Sequence, residues 1–175
     1  MKKMMKWLLI AGCGIVVLIL LVFIIGALLP ARQTFTRRMQ LKQTPDAVFS
    51  LLANVAELPQ WTRSVKTVEM LPPEKGREVT RQTFRNGMVM IITTSESLRP
   101  SKLVRKMSDA NGTFSGSWSY EFTPTDGGCR ITVTEQVEFP SPPFRVLARV
   151  FGFTKYVDER LQDIAAKFGE PAVID

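Results

Sequence analysis

The sequence predicts an α+β domain, a curved antiparallel sheet of about seven strands around one long C-terminal helix, set behind an apolar N-terminal helix. Three observations predict it. Period-two alternation recurs in six consecutive segments between Ser64 and Phe139, separated by short turns bearing Gly or Pro. An apolar repeat at three- and four-residue steps then runs from Leu147 to Phe168. At the other end, Trp7 to Leu29 carries no charge at all.

The N-terminal stretch WLLIAGCGIVVLILLVFIIGALL would rise about 35 Å as a helix, against a hydrocarbon core of roughly 30 Å. The expectation is a single transmembrane helix, residues 7–29, after a basic tail of residues 1–6. A cleaved secretory signal has a shorter apolar core and a small-x-small site, for which Leu29-Pro30-Ala31 is poor. Ile10-Ala11-Gly12-Cys13 is similar to a lipobox, but the apolar run continues about four turns past Cys13. A chain cleaved there would begin on a second greasy segment. Lysines 2, 3 and 6 precede the span, and Arg32, Arg37, Arg38 and Lys42 follow it, so the positive-inside rule favours neither orientation. A short basic tail is easier to leave behind than to translocate, which places the domain on the non-cytoplasmic side. Gly12 and Gly14 are too close for a small-xxx-small face, and the oligomeric state has no sign in the sequence.

After a linker, residues 30–33, the domain is expected over 34–169. TFTRRMQLK, Thr34 to Lys42, reads as its first strand. Thr44 then offers an N-cap with Pro45 at the first helical position, and Val48, Leu51 and Leu52 take helical spacing. A second short helix begins near Asn54 and is expected to end at Pro59, before Trp61. Strands follow: SVKTVEML, a turn over Pro72 to Gly76, REVTRQTF, Asn86-Gly87, MVMIITTSES, a break at Arg99-Pro100, KLVRKMS and Asn111-Gly112. The last hairpin turns at Asp126-Gly127-Gly128. Ser141 and Pro142 start the long helix, Gly169 closes it, and residues 170–175 form a tail.

Composition narrows function. Net charge is +7, yet without the three leader lysines the excess is small, and the bases Arg63, Arg81, Arg85, Arg99, Arg105 and Arg149 are scattered. Such a surface suits anionic headgroups and gives no nucleic-acid stripe. There is no histidine, and therefore no Ser-His or Cys-His nucleophile pair and no histidine metal ligand. No glycine fingerprint for phosphates or dinucleotides is present. Cofactor, metal and catalytic assignments are none.

The element order, with Thr44-Pro45-Asp46-Ala47-Val48-Phe49, Leu58-Pro59-Gln60-Trp61, Gly116 to Phe122 and Gly128 to Glu135, resembles the START-like (SRPBCC, polyketide cyclase, helix-grip) superfamily. The likeness spans about Thr34 to Phe168, and more narrowly is to bacterial single-pass members. It implies a helix-grip fold, a cavity, and a polyketide cyclase-like or lipid-binding relation. Enzymes of the superfamily place an arginine, tyrosine or acid in that cavity, types matched here by Arg105, Tyr120 and Glu135.

Glu135 is the residue that alternation singles out, because it shares a face with Ile131, Val133 and Val137. A carboxylate turned inward needs a partner, water or a raised pKa. Arg105 shares a face with Leu103 and Met107, which makes an Arg105–Glu135 pair the expected partner; the other reading puts Glu135 at a rim in solvent. Trp118, Tyr120, Phe122, Met90 and Ile92 would line the same cup or pack as core, Tyr120 being the better hydrogen-bonding candidate. The expected function is a membrane-anchored binding module for a hydrophobic small molecule such as a lipid, isoprenoid or polyketide-like compound. A cyclase or hydratase-like enzyme using Glu135 or Tyr120, and a tethered interaction domain with a filled cavity, remain open beside it.

Overall fold

The computed structural model describes residues 2–151 and 154–175; for residues 2–9, 11, 151 and 154 it describes the backbone alone. Helix α1 spans Lys2–Leu28, running through the basic residues expected as a tail. Among the described residues no helix is long and apolar enough to cross a membrane. Side chains of α1 are described without a break only from Gly12, short of the roughly 20 residues a crossing needs. The first part of the expected Trp7–Leu29 span therefore lies outside the residues whose side chains are described.

Seven strands follow in one antiparallel, curved sheet of order β1-β7-β6-β5-β4-β3-β2. They are β1 Arg32–Leu41, β2 Val65–Glu74, β3 Arg77–Phe84, β4 Val89–Leu98, β5 Lys102–Asp109, β6 Ser115–Thr125 and β7 Gly128–Glu138. Between β1 and β2 lie α2 (Pro45–Ala53), a 3-10 turn (Val55–Glu57) and α3 (Leu58–Trp61). Two helical segments close the chain, α4 (Pro142–Phe151) and α5 (Thr154–Lys167). The one long helix expected to start at Ser141-Pro142 and close at Gly169 is described as these two, with residues 152–153 outside the described residues.

Local chemistry accounts for most boundaries. Thr44 Oγ1 accepts the Ala47 amide at 3.2 Å and caps α2. Pro59 does not end a helix as expected. It sits in the first turn of α3, where no amide is needed, and Trp61 is the last residue. Strand β2 likewise runs through Pro72 and Pro73 instead of turning there. It is the edge of the sheet, so two missing donors cost little, and the turn comes at Lys75-Gly76, both with positive φ. The β6–β7 hairpin turns at Asp126-Gly127, as its sequence implies. At the opposite edge the tail adds to β1 through paired Arg38 and Asp175 backbone bonds.

The sheet's inner face and one face of α5 make the core. Val157, Leu161, Ile164 and Ala165 are buried against Met39, Leu41, Ile131 and Val133 within a single apolar cluster. Each large aliphatic chain so buried contributes about 1.5–3 kcal/mol. Polar ties fix how α5 sits. Asp163 accepts from Arg63 Nε at 2.6 Å and the Arg63 amide at 2.9 Å, and Arg37 Nε donates to Asp158 at 2.9 Å. Helix α4 instead docks on the end of α1. Arg145 donates to the carbonyls of Phe139 and Pro140 at 2.8 Å, and more distantly to those of Gly26 and Leu29.

Candidate functional site

Register places the site. Arg105 pairs across strands with Trp118, and Trp118 with Glu135, so the three form one row on the inner face. Arg105 and Glu135 are thus two strand spacings apart, about 9–10 Å between backbones, with an indole between them. The expected Arg105–Glu135 pair does not form: β6 intervenes, and each residue has another partner.

Glu135 is buried, 4% exposed, which removes the solvent-rim reading. Trp118 Nε1 donates to its Oε1 at 2.8 Å, and Oε2 has no partner among the described residues. Burial pushes the carboxyl up to about 7, with the indole bond acting the other way.

Arg105 is equally buried and donates from Nη2 to the Leu52 carbonyl at 2.8 Å. That carbonyl is in the last turn of α2, where a cation complements the helix dipole. Its Nε has no partner among the described residues. Burial, first among the causes, lowers its pKa from the usual arginine value.

Across the space stands Arg160 of α5, 4% exposed, its guanidinium carbon 5.6 Å from the Trp61 ring centre and 5.4 Å from that of Tyr156. Nη2 donates to the Tyr156 hydroxyl, and Nε again has no partner among the described residues. Neither buried arginine lies within ion-pair distance of a carboxylate among the described residues.

Arg105 and Arg160 face a common space, whose wall also includes Tyr120, Tyr156, Trp118 and Gln82, with Leu58 and Ile92 as its apolar part. Burial raises the Tyr120 phenol to about 12, so its hydroxyl keeps its proton and can donate. Room for a water's centre amounts to about 10 Å³, on the scale of one molecule. The expected roomy cup is therefore nearly filled by its own polar side chains.

Of the residues named from sequence, Arg105, Tyr120, Trp118 and Ile92 meet at this space. Glu135 lies behind Trp118. Phe122 packs edge-on against Phe49 at 5.7 Å, and Met90 belongs to the same apolar cluster, so these two are core. The sequence reading missed Arg160, Tyr156 and Gln82. A signal existed for Arg160, which stands three residues after Val157 and four before Ile164, within the helix's apolar repeat.

A larger cleft of about 390 Å³ opens at the surface between Ser64, Phe84, Met88 and the first turn of α5. Tyr156 lines both this cleft and the central space. Its ring stacks on Trp118 with centres 4.8 Å apart, and meets Phe84 edge-on at 5.6 Å.

A family model described as polyketide cyclase / dehydrase and lipid transport matches residues 32–169. No curated protein matches the chain. Among solved structures, the di-domain ARO/CYC StfQ from the steffimycin biosynthetic pathway superposes with TM-score 0.63 at 14% identity, over 78% of this chain. The chain spans 50% of that di-domain protein. Truncated norcoclaurine synthase from Thalictrum flavum gives TM-score 0.65 at 12% identity, over 80% of this chain and 95% of the other. A START superfamily protein from Mycobacterium smegmatis gives 0.56 at 13%, over 78% and 95%. At such identities the likeness shows the fold alone.

Proposed function

The chain belongs to the polyketide cyclase / dehydrase and lipid transport family, and from that premise we propose that it is a membrane-anchored binding module for a hydrophobic small molecule. A lipid, isoprenoid or polyketide-like compound would be held between the sheet and α5. The observation that carries this reading is the position of Tyr156, which lines both a 390 Å³ cleft and the polar central space. A turn of that side chain would join the two into a pocket within the roughly 300–1,000 Å³ range of small-molecule sites.

Two features support the anchor. From Ile15 to Ile25 nearly every large apolar side chain of α1 is exposed, on all sides of the helix, the pattern of a helix that meets lipid. Exposed Phe144, Leu147 and Val150 continue that apolar surface onto α4, which Arg145 ties to the end of α1. The domain's placement outside the cytoplasm belongs to the same proposal.

Two other readings each have an observation in their favour. A carboxyl near 7 with one free oxygen is what a general base requires, which favours a cyclase or hydratase-like enzyme using Glu135. The 10 Å³ central space favours an interaction domain with a filled interior. Tyr156→Ala separates the filled interior from the binding module. With the full chain in detergent, uptake of the neutral probe Nile red is expected to strengthen about tenfold or more as the plug is removed. Unchanged uptake by a variant whose circular dichroism matches the parent would put the interaction-domain reading first. For the enzyme, Glu135→Gln would abolish turnover while leaving binding intact.

A further inference from the structure

Buried charge in the central space does not balance. Two guanidiniums, Arg105 and Arg160, line it, and the carboxylates nearest to them are committed elsewhere. Asp163 is held by the Arg63 side chain and amide, and Glu78 accepts the Thr94 hydroxyl at 2.8 Å. Glu135 is screened from the space by the indole of Trp118, on which its one bonded oxygen is spent. The field of Arg160 disfavours the Arg105 cation, while burial of Arg160 is opposed by Tyr156, Tyr120 and, more weakly, Asp163. Buried cations are retained at a cost of several kcal/mol each unless paired. A helix-end carbonyl and a phenol are the partners that Arg105 and Arg160 have, and both leave Nε without one.

We propose that the ligand carries an anionic head, a carboxylate or phosphate, which seats between Arg105 and Arg160 while its apolar tail leaves through the Tyr156 cleft. The proposal rests on the binding reading above and names the ligand's chemistry. Both free Nε–H groups are donors suited to an oxyanion, and such charge-assisted bonds are about twice as strong as neutral ones. The Tyr120 hydroxyl adds a third donor.

Geometry also couples the head to the door. Tyr156 is the acceptor for Arg160 Nη2, so swinging Tyr156 aside frees that guanidinium at the moment the cleft joins the space. An incoming oxyanion replaces the lost phenol bond. A neutral head of equal size leaves Arg160 with neither partner. Discrimination between charged and neutral ligands is therefore built into opening itself, and beyond Tyr156 a tail would lie along Phe84 and Met88, between the polar Arg85, Asn86, Lys155 and Glu159 of the cleft's rim.

The test uses the full chain in phosphatidylcholine nanodiscs, offered dodecanoate, dodecyl phosphate or dodecanol, with retention read by native mass spectrometry. At least one anion is expected to bind about tenfold or more tighter than the alcohol. Preference for dodecanoate marks a fatty-acid-type head, and preference for dodecyl phosphate a phospholipid or prenyl-phosphate type. Arg160→Met is expected to erase most of that preference, by weakening retention of the anions and relieving the penalty on dodecanol, and Arg160→Lys to restore part of it. Arg105→Met provides a second site should the first variant fail to fold. Equal retention of alcohol and both anions would overturn the anionic head and leave the binding module standing. Retention of none of the three, by wild type or by Tyr156→Ala, would overturn the binding module as well.

Discussion

Raising the pH from 5 to 8 is expected to destabilise the fold by about 2–3 kcal/mol, all of it attached to Glu135. In the folded chain burial raises this carboxyl from its ordinary value near 4.5 to about 7. Native Glu135 thus holds a proton that the unfolded chain has already released, and the folded state binds more protons between those values. Stability is complete below about 4.5 and is lost as the pH climbs through 7. Other shifted groups are silent in this window. The carboxyls of Asp46, hydrogen-bonded by Arg99, and Asp109, bonded by Thr113 and nearby amides, lie below their ordinary 3.8, so their contributions fade only in acid. Cys129, raised by burial to about 11, begins to matter only above 9. The chain has no histidine to add a titration of its own in this range. Glu135→Gln keeps an acceptor for the Trp118 indole and removes the titration. Its denaturant midpoint is expected to be flat from pH 5 to 8 and higher than that of wild type at pH 8. A wild-type midpoint that does not move over this range would mean Glu135 is solvated.

Trp118→Ala is expected to be the most damaging single change at the site. The ring is 3% exposed, stacks on Tyr156 and supplies the one hydrogen bond to the Glu135 carboxyl among the described residues. Large-to-small loss of a buried tryptophan costs about 3–5 kcal/mol, and a stranded acceptor about 1–3 more. Against a total stability of about 5–15 kcal/mol, this takes the fold to its margin. Trp118→Phe divides the two contributions. It keeps most of the ring, loses only the bond, and should cost about 1–3 kcal/mol at pH 8 and less at pH 5, where Glu135 is protonated. Urea melts of both variants at both pH values check this. Equal losses for Phe and Ala would assign the indole's importance to its bond alone.

These two residues also show what could be read from the chain. The alternation of β6 and β7 about Asp126-Gly127 was enough to set Trp118, Tyr120 and Phe122 on one face and Glu135 among the valines, because a two-residue turn fixes register. The partner of Glu135 was misread for a related reason. Two consecutive hairpins put β6 between β5 and β7, and that order, already implicit in the turns, makes Trp118 the neighbour of both Arg105 and Glu135. Arg160 and Tyr156 were harder. Helical periodicity follows apolar side chains, and it stepped from Val157 to Leu161 past a guanidinium buried on the same face. Nor could any pattern reveal how little room these side chains leave, since volume depends on how rings from β6 and α5 stack.

The central claim is that this interior opens to hold an amphiphile, and native mass spectrometry of the full chain purified from cells, followed by organic extraction, tests it most directly. A reproducible adduct of lipid or isoprenoid size is expected on part of the population, extractable as an acid or phosphate, and reduced in Arg160→Met. A clean protein mass from every preparation, in wild type and Tyr156→Ala alike, would contradict it and leave a filled domain whose function lies on its surface.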